Sequence, residues 1–290
     1  MNKSFYIIFA LLLIVAILQK IIFKKSPSDY PFEKLKLSDI AEFEIKSPQW
    51  HFIFKKDKDE WSWNQPFRLA TEKPGQIISA LSKLRTGPAL GRSTESLSGL
   101  SLDEGSGIFL KVRNKKGEIR ELVLGRSAPD GHSYFRWKNE NDVRYARGIN
   151  RGLLGREADY FRNRAVFSFK EDETERIILS RGAMTYEFTR SSQTWTIKTA
   201  KREMLLDENM KNVFPGVFSG LTASGFADKA DGKEIFNARF ISKSGEETVL
   251  SFIESSEHKD EYLVTSSRFG EIFLIYKNIF ENFLKELSGI

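Results

Sequence analysis

Apolar and polar residues follow two rhythms along this chain, and the change between them falls near residue 25. From Phe5 to Phe23 the side chains are almost wholly apolar (FYIIFALLLIVAILQKIIF), broken only by Gln19 and Lys20. A helix of that length rises about 28 Å, close to the hydrocarbon thickness of a bilayer, so residues 1–25 are expected to form an N-terminal membrane anchor. The uninterrupted run Phe5–Leu18 also has the length of a secretory signal core. No small-x-small cleavage pattern follows it, and Lys20, Lys24 and Lys25 come instead, which favours a retained signal anchor. Only Lys3 and the α-amino group precede the apolar run while three lysines follow it, a balance that by the positive-inside rule puts the body in the cytoplasm. Lys20 can snorkel and the N-terminal side is very short, so both orientations stay open at this point.

Residues 26–34, with Pro27 and Pro31 and no periodicity, read as a linker. Beyond them a period of two takes over. Ile40–Lys46 and Trp50–Lys55 alternate apolar and polar positions, and Asp57–Glu60 turns the chain into Trp61-Ser62-Trp63, a meander of antiparallel strands. Thr71–Leu84 changes to helical spacing, with Thr71 as cap, Pro74 in the first turn, and Ile77, Ile78, Leu81 and Leu84 on one face. A Gly/Ser-rich connection over 87–107 leads to four further strands, Ile108–Arg113, Ile119–Leu124, Ser133–Lys138 and Val143–Arg147. Turns at Asn114–Gly117 and Asp130–Gly131 separate them.

The order then recurs. Trp61 falls on Trp195, Ile45 on Leu179 and Trp50 on Met184 at one constant offset of 134; Gly117 falls on Gly245, Tyr134 on Tyr262 and Tyr145 on Phe273 at another, 128. Between these halves Met210, Val213, Phe214, Val217, Phe218 and Leu221 keep helical spacing after Asp207, with Pro215 placed to bend the helix. Tyr276–Leu287 forms a closing helix. The expected fold is therefore α+β: a transmembrane helix followed by two duplicated units, 35–167 and 168–290, each an antiparallel β-meander, helix, β-meander and helix.

Composition narrows the chemistry. The chain's 24 Phe and 40% hydrophobic residues argue for generous cores. The chain has no cysteine, which removes disulfides, thiolate nucleophiles and cysteine metal sites, and His51, His132 and His258 each stand alone, so no metal or cofactor site is expected. Carboxylates gather in turns, such as Asp57, Asp59 and Glu60, or in the run Glu171 to Glu175. Gly105-Ser106-Gly107 lacks a phosphate-loop pattern and no serine sits in a nucleophile elbow, so no catalytic residues are assigned. Net charge is +6, yet no nucleic-acid-binding module is present and none is expected to bind. Trp61 and Trp195 recur at one position of the repeat and read as packing residues. Trp63 and Trp137 align with Ile197 and Thr265 and are the candidate aromatic contacts. The sharpest charged feature is the arginine run Arg136, Arg144, Arg147, Arg151, Arg156, Arg162 and Arg164, whose first five members are the candidate anion or partner site. Glu140, Asp142, Glu157 and Asp159 lie among them and offer a salt-bridged face as the plainer reading.

Several short motifs, namely the Trp61 and Trp195 strands followed by helices, Ser98-Gly99-Leu100, Leu122-Val123-Leu124-Gly125 and Tyr160-Phe161-Arg162-Asn163-Arg164, together with the N-terminal helix, resemble domain of unknown function 4340, a bacterial membrane-anchored family. The usual aromatic before Gly-Leu and the proline after it are missing here. The resemblance implies a single-pass inner-membrane protein with an extracytoplasmic, periplasmic body and genes placed beside ABC-type transporters, including the gliding-associated type; it implies no catalytic residues. Three functions are expected in order. The first is a non-enzymatic accessory or scaffold subunit of an ABC-type transporter or envelope complex. The second is a binding module for an anionic envelope polymer or lipid, and the third an envelope hydrolase.

Overall fold

The computed structural model describes residues 32, 37–92, 94–191, 194–206, 214 and 216–290. The run Phe5–Phe23, expected as the anchor, lies outside the described residues. Among those described, no helix is long and apolar enough to cross a membrane. The chain divides into two compact units between Phe161 and Arg162.

In the first unit, strands β1 (Ile40–Lys46), β2 (His51–Asp57), β3 (Glu60–Trp63), β4 (Arg85–Arg92), β5 (Ile108–Asn114), β6 (Ile119–Ser127), β7 (Ser133–Trp137) and β8 (Asp142–Arg147) build one sheet. Their order is β3-β2-β1-β5-β6-β7-β8-β4. Alternation decides which face is buried: Phe43 and Ile45 of β1, Phe52 and Phe54 of β2, and Leu110 and Val112 of β5 all point to one side. There they pack with Ile77, Ile78 and Leu81 of the helix Glu72–Ser82 and with Phe161. Three rings lock this core, with Phe43 stacked on Phe54 at 4.5 Å and Phe161 at 5.2 Å from Phe54. The opposite face carries a smaller cluster of Leu102, Val123 and Val143 beneath the segment 97–107.

The second unit contains β9 (Ala165–Phe167), β10 (Thr174–Arg181), β11 (Met184–Ser191), β12 (Thr194–Lys198), β13 (Glu203–Leu205), β14 (Leu221–Thr222), β15 (Gly225–Ala227), β16 (Lys233–Ser242), β17 (Glu247–Glu254), β18 (Glu261–Ser266) and β19 (Phe269–Tyr276). Its nine-stranded sheet runs β13-β12-β11-β10-β16-β17-β18-β19-β15, and β9 pairs separately with β14. The closing helix Asn278–Ser288 lays Phe280, Phe283 and Leu287 on the sheet. These meet Phe218 and Phe252 in a cluster of aromatic rings, with Phe252 and Phe280 4.8 Å apart.

These observations correct the expected fold class. The described residues are mostly antiparallel sheet, 49% strand and 17% helix, rather than an α+β alternation of meanders and helices. The physical reason is the β1–β5 pairing, and its equivalent β10–β16, which joins the strands before and after the helical segment into one sheet. The helices are left as short covers. In the first unit the closing helical segments are only Arg151–Leu154 and Ala158–Phe161. In the second, Asp207, Met210, Val213 and Pro215 lie outside the described residues, Gly216–Phe218 is a 3-10 turn, and Leu221 is in a strand. Thr71 has helical backbone angles and makes no side-chain capping bond.

The two sheets nevertheless share a strand order and a register. Phe43 faces Phe54 and Val112, while Ile177 faces Phe188 and Phe240; both first strands also carry a register shift at the same place, Ile40/Glu42 and Thr174/Arg176. Trp61 lies opposite Lys56, as Trp195 lies opposite Arg190. The β5–β6 and β16–β17 turns match as well, with Gly117 and Gly245 at φ of 81° and 83°, left-handed angles that suit glycine. The rear hairpin departs from the offset read in sequence by one residue. Leu124 faces Phe135 and Phe252 faces Val264, so Phe135 corresponds to Val264, Arg136 to Thr265 and Arg144 to the buried Phe273. A one-residue slip would have turned every side chain to the wrong face.

Candidate functional site

The arginine run is distributed over both faces of the first sheet. Residues 133, 135 and 137 of β7 lie on the core side, so Arg136 faces the other way. It is buried beneath the segment 97–107, where its Nε donates to the Leu102 carbonyl at 2.9 Å and its Nη1 to the Lys138 carbonyl at 2.8 Å. Longer Nη1 bonds reach the carbonyls of Trp137 and Glu140. Arg151 donates from Nη2 to the Ser106 carbonyl at 2.8 Å, on the same covering segment. Arg156 bonds the Gly152 carbonyl and lies over the Tyr160 ring. Arg136 and Arg151 are thus brought together, but on backbone carbonyls. Arg144 is on the core side of β8, opposite Phe135, and its buried Nε has no hydrogen-bond partner among the described residues. Arg147 is exposed and donates from Nε to Nε2 of His132 at 3.1 Å.

The candidate aromatics sit at the margins of the core. Trp63 donates its indole N–H to the Phe67 carbonyl at 2.6 Å and packs on Phe52, Phe54 and Phe161. Trp137 lies against Phe32 and, edge-on, against Phe135.

A groove of about 350 Å³ runs over the outward face of β1, β5 and β6, lined among others by Glu44, Lys46, Phe109, Lys111, Glu121 and Lys138. Sequence reasoning passed over these residues because each looks like an ordinary solvated position of an alternating strand. Pairing across the strands sets them side by side, Glu44 opposite Lys111 and Lys111 opposite Glu121. Glu121 lies 3.7 Å from Lys111 and 3.2 Å from Lys138, and Glu44 accepts a 2.8 Å contact from His51. Such a ladder offers both signs of charge, with Glu121 held between two lysines and Glu44 bonded to the His51 ring. The described residues contain no group of three or more His, Asp or Glu placed to hold a metal ion.

The motifs Leu122–Gly125 and Tyr160–Arg164 act in folding. A Cβ on Gly125 would come within 2.3 Å of the Leu100 carbonyl, which also accepts from the Arg126 N–H at 2.9 Å; only a glycine lets the covering segment lie that close to β6. At the junction of the units, Phe161 fills the first core, while Arg162 is buried in the second unit 3.7 Å from Glu271 and stacked over Phe226. No curated protein and no solved structure gives a significant match to this chain. A family model described as a domain of unknown function, DUF4340, matches residues 61–238, more than half of the chain and parts of both units. Its span takes in the Leu100–Gly125 contact and the Phe161–Arg162 junction, and the chain belongs to the DUF4340 family.

Proposed function

We propose that the protein is a non-enzymatic, membrane-anchored accessory subunit whose two sheets dock onto an integral-membrane complex of the ABC-transporter type. The observation that carries this reading is the engagement of its reactive groups within the fold. Arg136 and Arg151 hold backbone carbonyls, Glu121 pairs with Lys111 and Lys138, Glu44 bonds the His51 ring, and Arg162 and Glu271 form a buried pair. What remains for a partner is surface, including β13, the edge strand of the second sheet among the described residues, where Leu205 is 66% exposed. The anchor reading is supported by the apolar run Phe5–Leu18, and a periplasmic body by the family's usual arrangement. Crosslinking in membranes followed by mild detergent extraction should recover a permease and its ATPase in fixed ratio with this chain. Recovery of the chain alone would remove the proposal. A reporter fused after Ile290 that is active only in the cytoplasm would reverse the assigned side.

A further inference from the structure

Outside the groove and the arginine clamps, one surface joins free cations to aromatic rings. Tyr134 of β7 and Tyr145 of β8 are directly opposite on the outward face, their rings 5.3 Å apart and tilted by 39°. The Arg126 guanidinium lies over the Tyr134 ring at 5.9 Å. On the far side the His132 ring is 6.0 Å from Tyr145, and His132 accepts the Arg147 hydrogen bond. An arginine Nε–H can only donate, so His132 Nε2 must be the acceptor and its proton resides on Nδ1, 3.1 Å from the Pro129 carbonyl. The arc therefore reads guanidinium, phenol, phenol, neutral imidazole, guanidinium. Arg126 and Arg147 are both exposed and, among the described residues, neither forms an ion pair, unlike Lys111 or Arg113 on the same sheet. The Asp130 carboxylate acts electrostatically on Tyr145 and offsets part of the two arginines' charge.

We infer that this arc binds an acidic saccharide, with carboxylates on Arg126 and Arg147 and sugar rings laid on Tyr134 and Tyr145. A guanidinium pairs with a planar carboxylate through two parallel hydrogen bonds, and two of them separated by three rings suit a ligand with repeated charges. The tyrosines supply flat apolar faces with a polar rim, which a lone inorganic anion would leave unused. The arc differs from the arginine run in using Arg126, which lies outside that run, and in using only Arg147 from within it.

The full-length chain in detergent is titrated with oligogalacturonate, with neutral dextran and with inorganic phosphate, by calorimetry at low salt. Saturable binding of oligogalacturonate alone is expected, weakened at least about tenfold in the Arg126→Gln/Arg147→Gln variant by loss of two charge-assisted contacts. Both side chains are exposed, so the melting temperature of that variant should match the parent and separate lost binding from lost folding. Tyr145→Ser should weaken binding as well. Absence of saturable binding, equal binding of dextran or phosphate, or unchanged affinity in either variant would overturn the assignment.

Discussion

Two residues of the first unit show how a side chain, or its absence, sets the outward face. Gly125 permits the Leu100 carbonyl to rest on β6 at a distance no Cβ could share, and the obstruction is backbone, which cannot swing aside as a flexible side chain would. Gly125→Ala should therefore lower unfolding free energy by about 3 kcal/mol, at the upper end of overpacking costs, in a urea titration. Loss below about 0.5 kcal/mol would show that the segment 97–107 is free to lift. Arg136 acts in the opposite sense, filling the space beneath that segment and donating to the Leu102 and Lys138 carbonyls. Arg136→Met keeps much of the volume but leaves the Leu102 carbonyl without its donor, and should cost about 2 kcal/mol. Arg126→Gln, at an exposed position of β6 on the same face, should change stability by under about 0.5 kcal/mol, which separates a folding arginine from one available to a ligand.

At the scale of elements, β18 and the closing helix meet around Tyr262, whose ring lies edge-on to Phe236 and Phe252 and beside Phe280. Burial raises its pKa above the usual 10.0, opposed in part by the Lys277 ammonium and reinforced by Glu254. The neutral phenol is thus the form the fold prefers. A group whose folded pKa is raised contributes stability that is complete below its unfolded pKa and is lost as pH climbs from about 10 toward the folded value. Stability of the parent should fall above pH 10 more steeply than that of Tyr262→Phe, and parallel curves would dismiss the effect. Elements of this kind were legible in sequence where alternation was strict: β5 reads as a strand from Ile108, Leu110 and Val112, the residues found buried. Strand β4 was not. Gly87, Pro88 and Gly91 break its period, and it survives as an edge strand held to β8 through two register shifts, where a proline costs no ladder bond. The same limit hid the groove, because Glu44, Lys111 and Glu121 come from three strands and only pairing assembles them. The arginine run was visible as a run, but its division between the two faces depends on the one-residue register of the rear hairpin.

Over the whole molecule, the repeated strand order implies that each unit carries the means of its own folding. The second unit has its own fully buried rings, with Phe214, Phe218, Phe252, Phe280 and Phe283 all under 2% exposed and in mutual contact. It is also long enough for a domain that folds alone. Residues 162–290 expressed by themselves should therefore unfold in a single cooperative transition. Phe218→Ala removes the ring that touches Phe214, Phe240, Phe252, Phe280 and Phe283, and should destabilise that fragment by about 4 kcal/mol. The decisive comparison is between contexts. If the unit is autonomous, the same substitution should produce the same loss in the full-length chain, confined to one of two thermal transitions. A fragment without cooperative unfolding, or a substitution in the second core that shifts both transitions together, would mean that the two sheets fold as one body despite their separate cores.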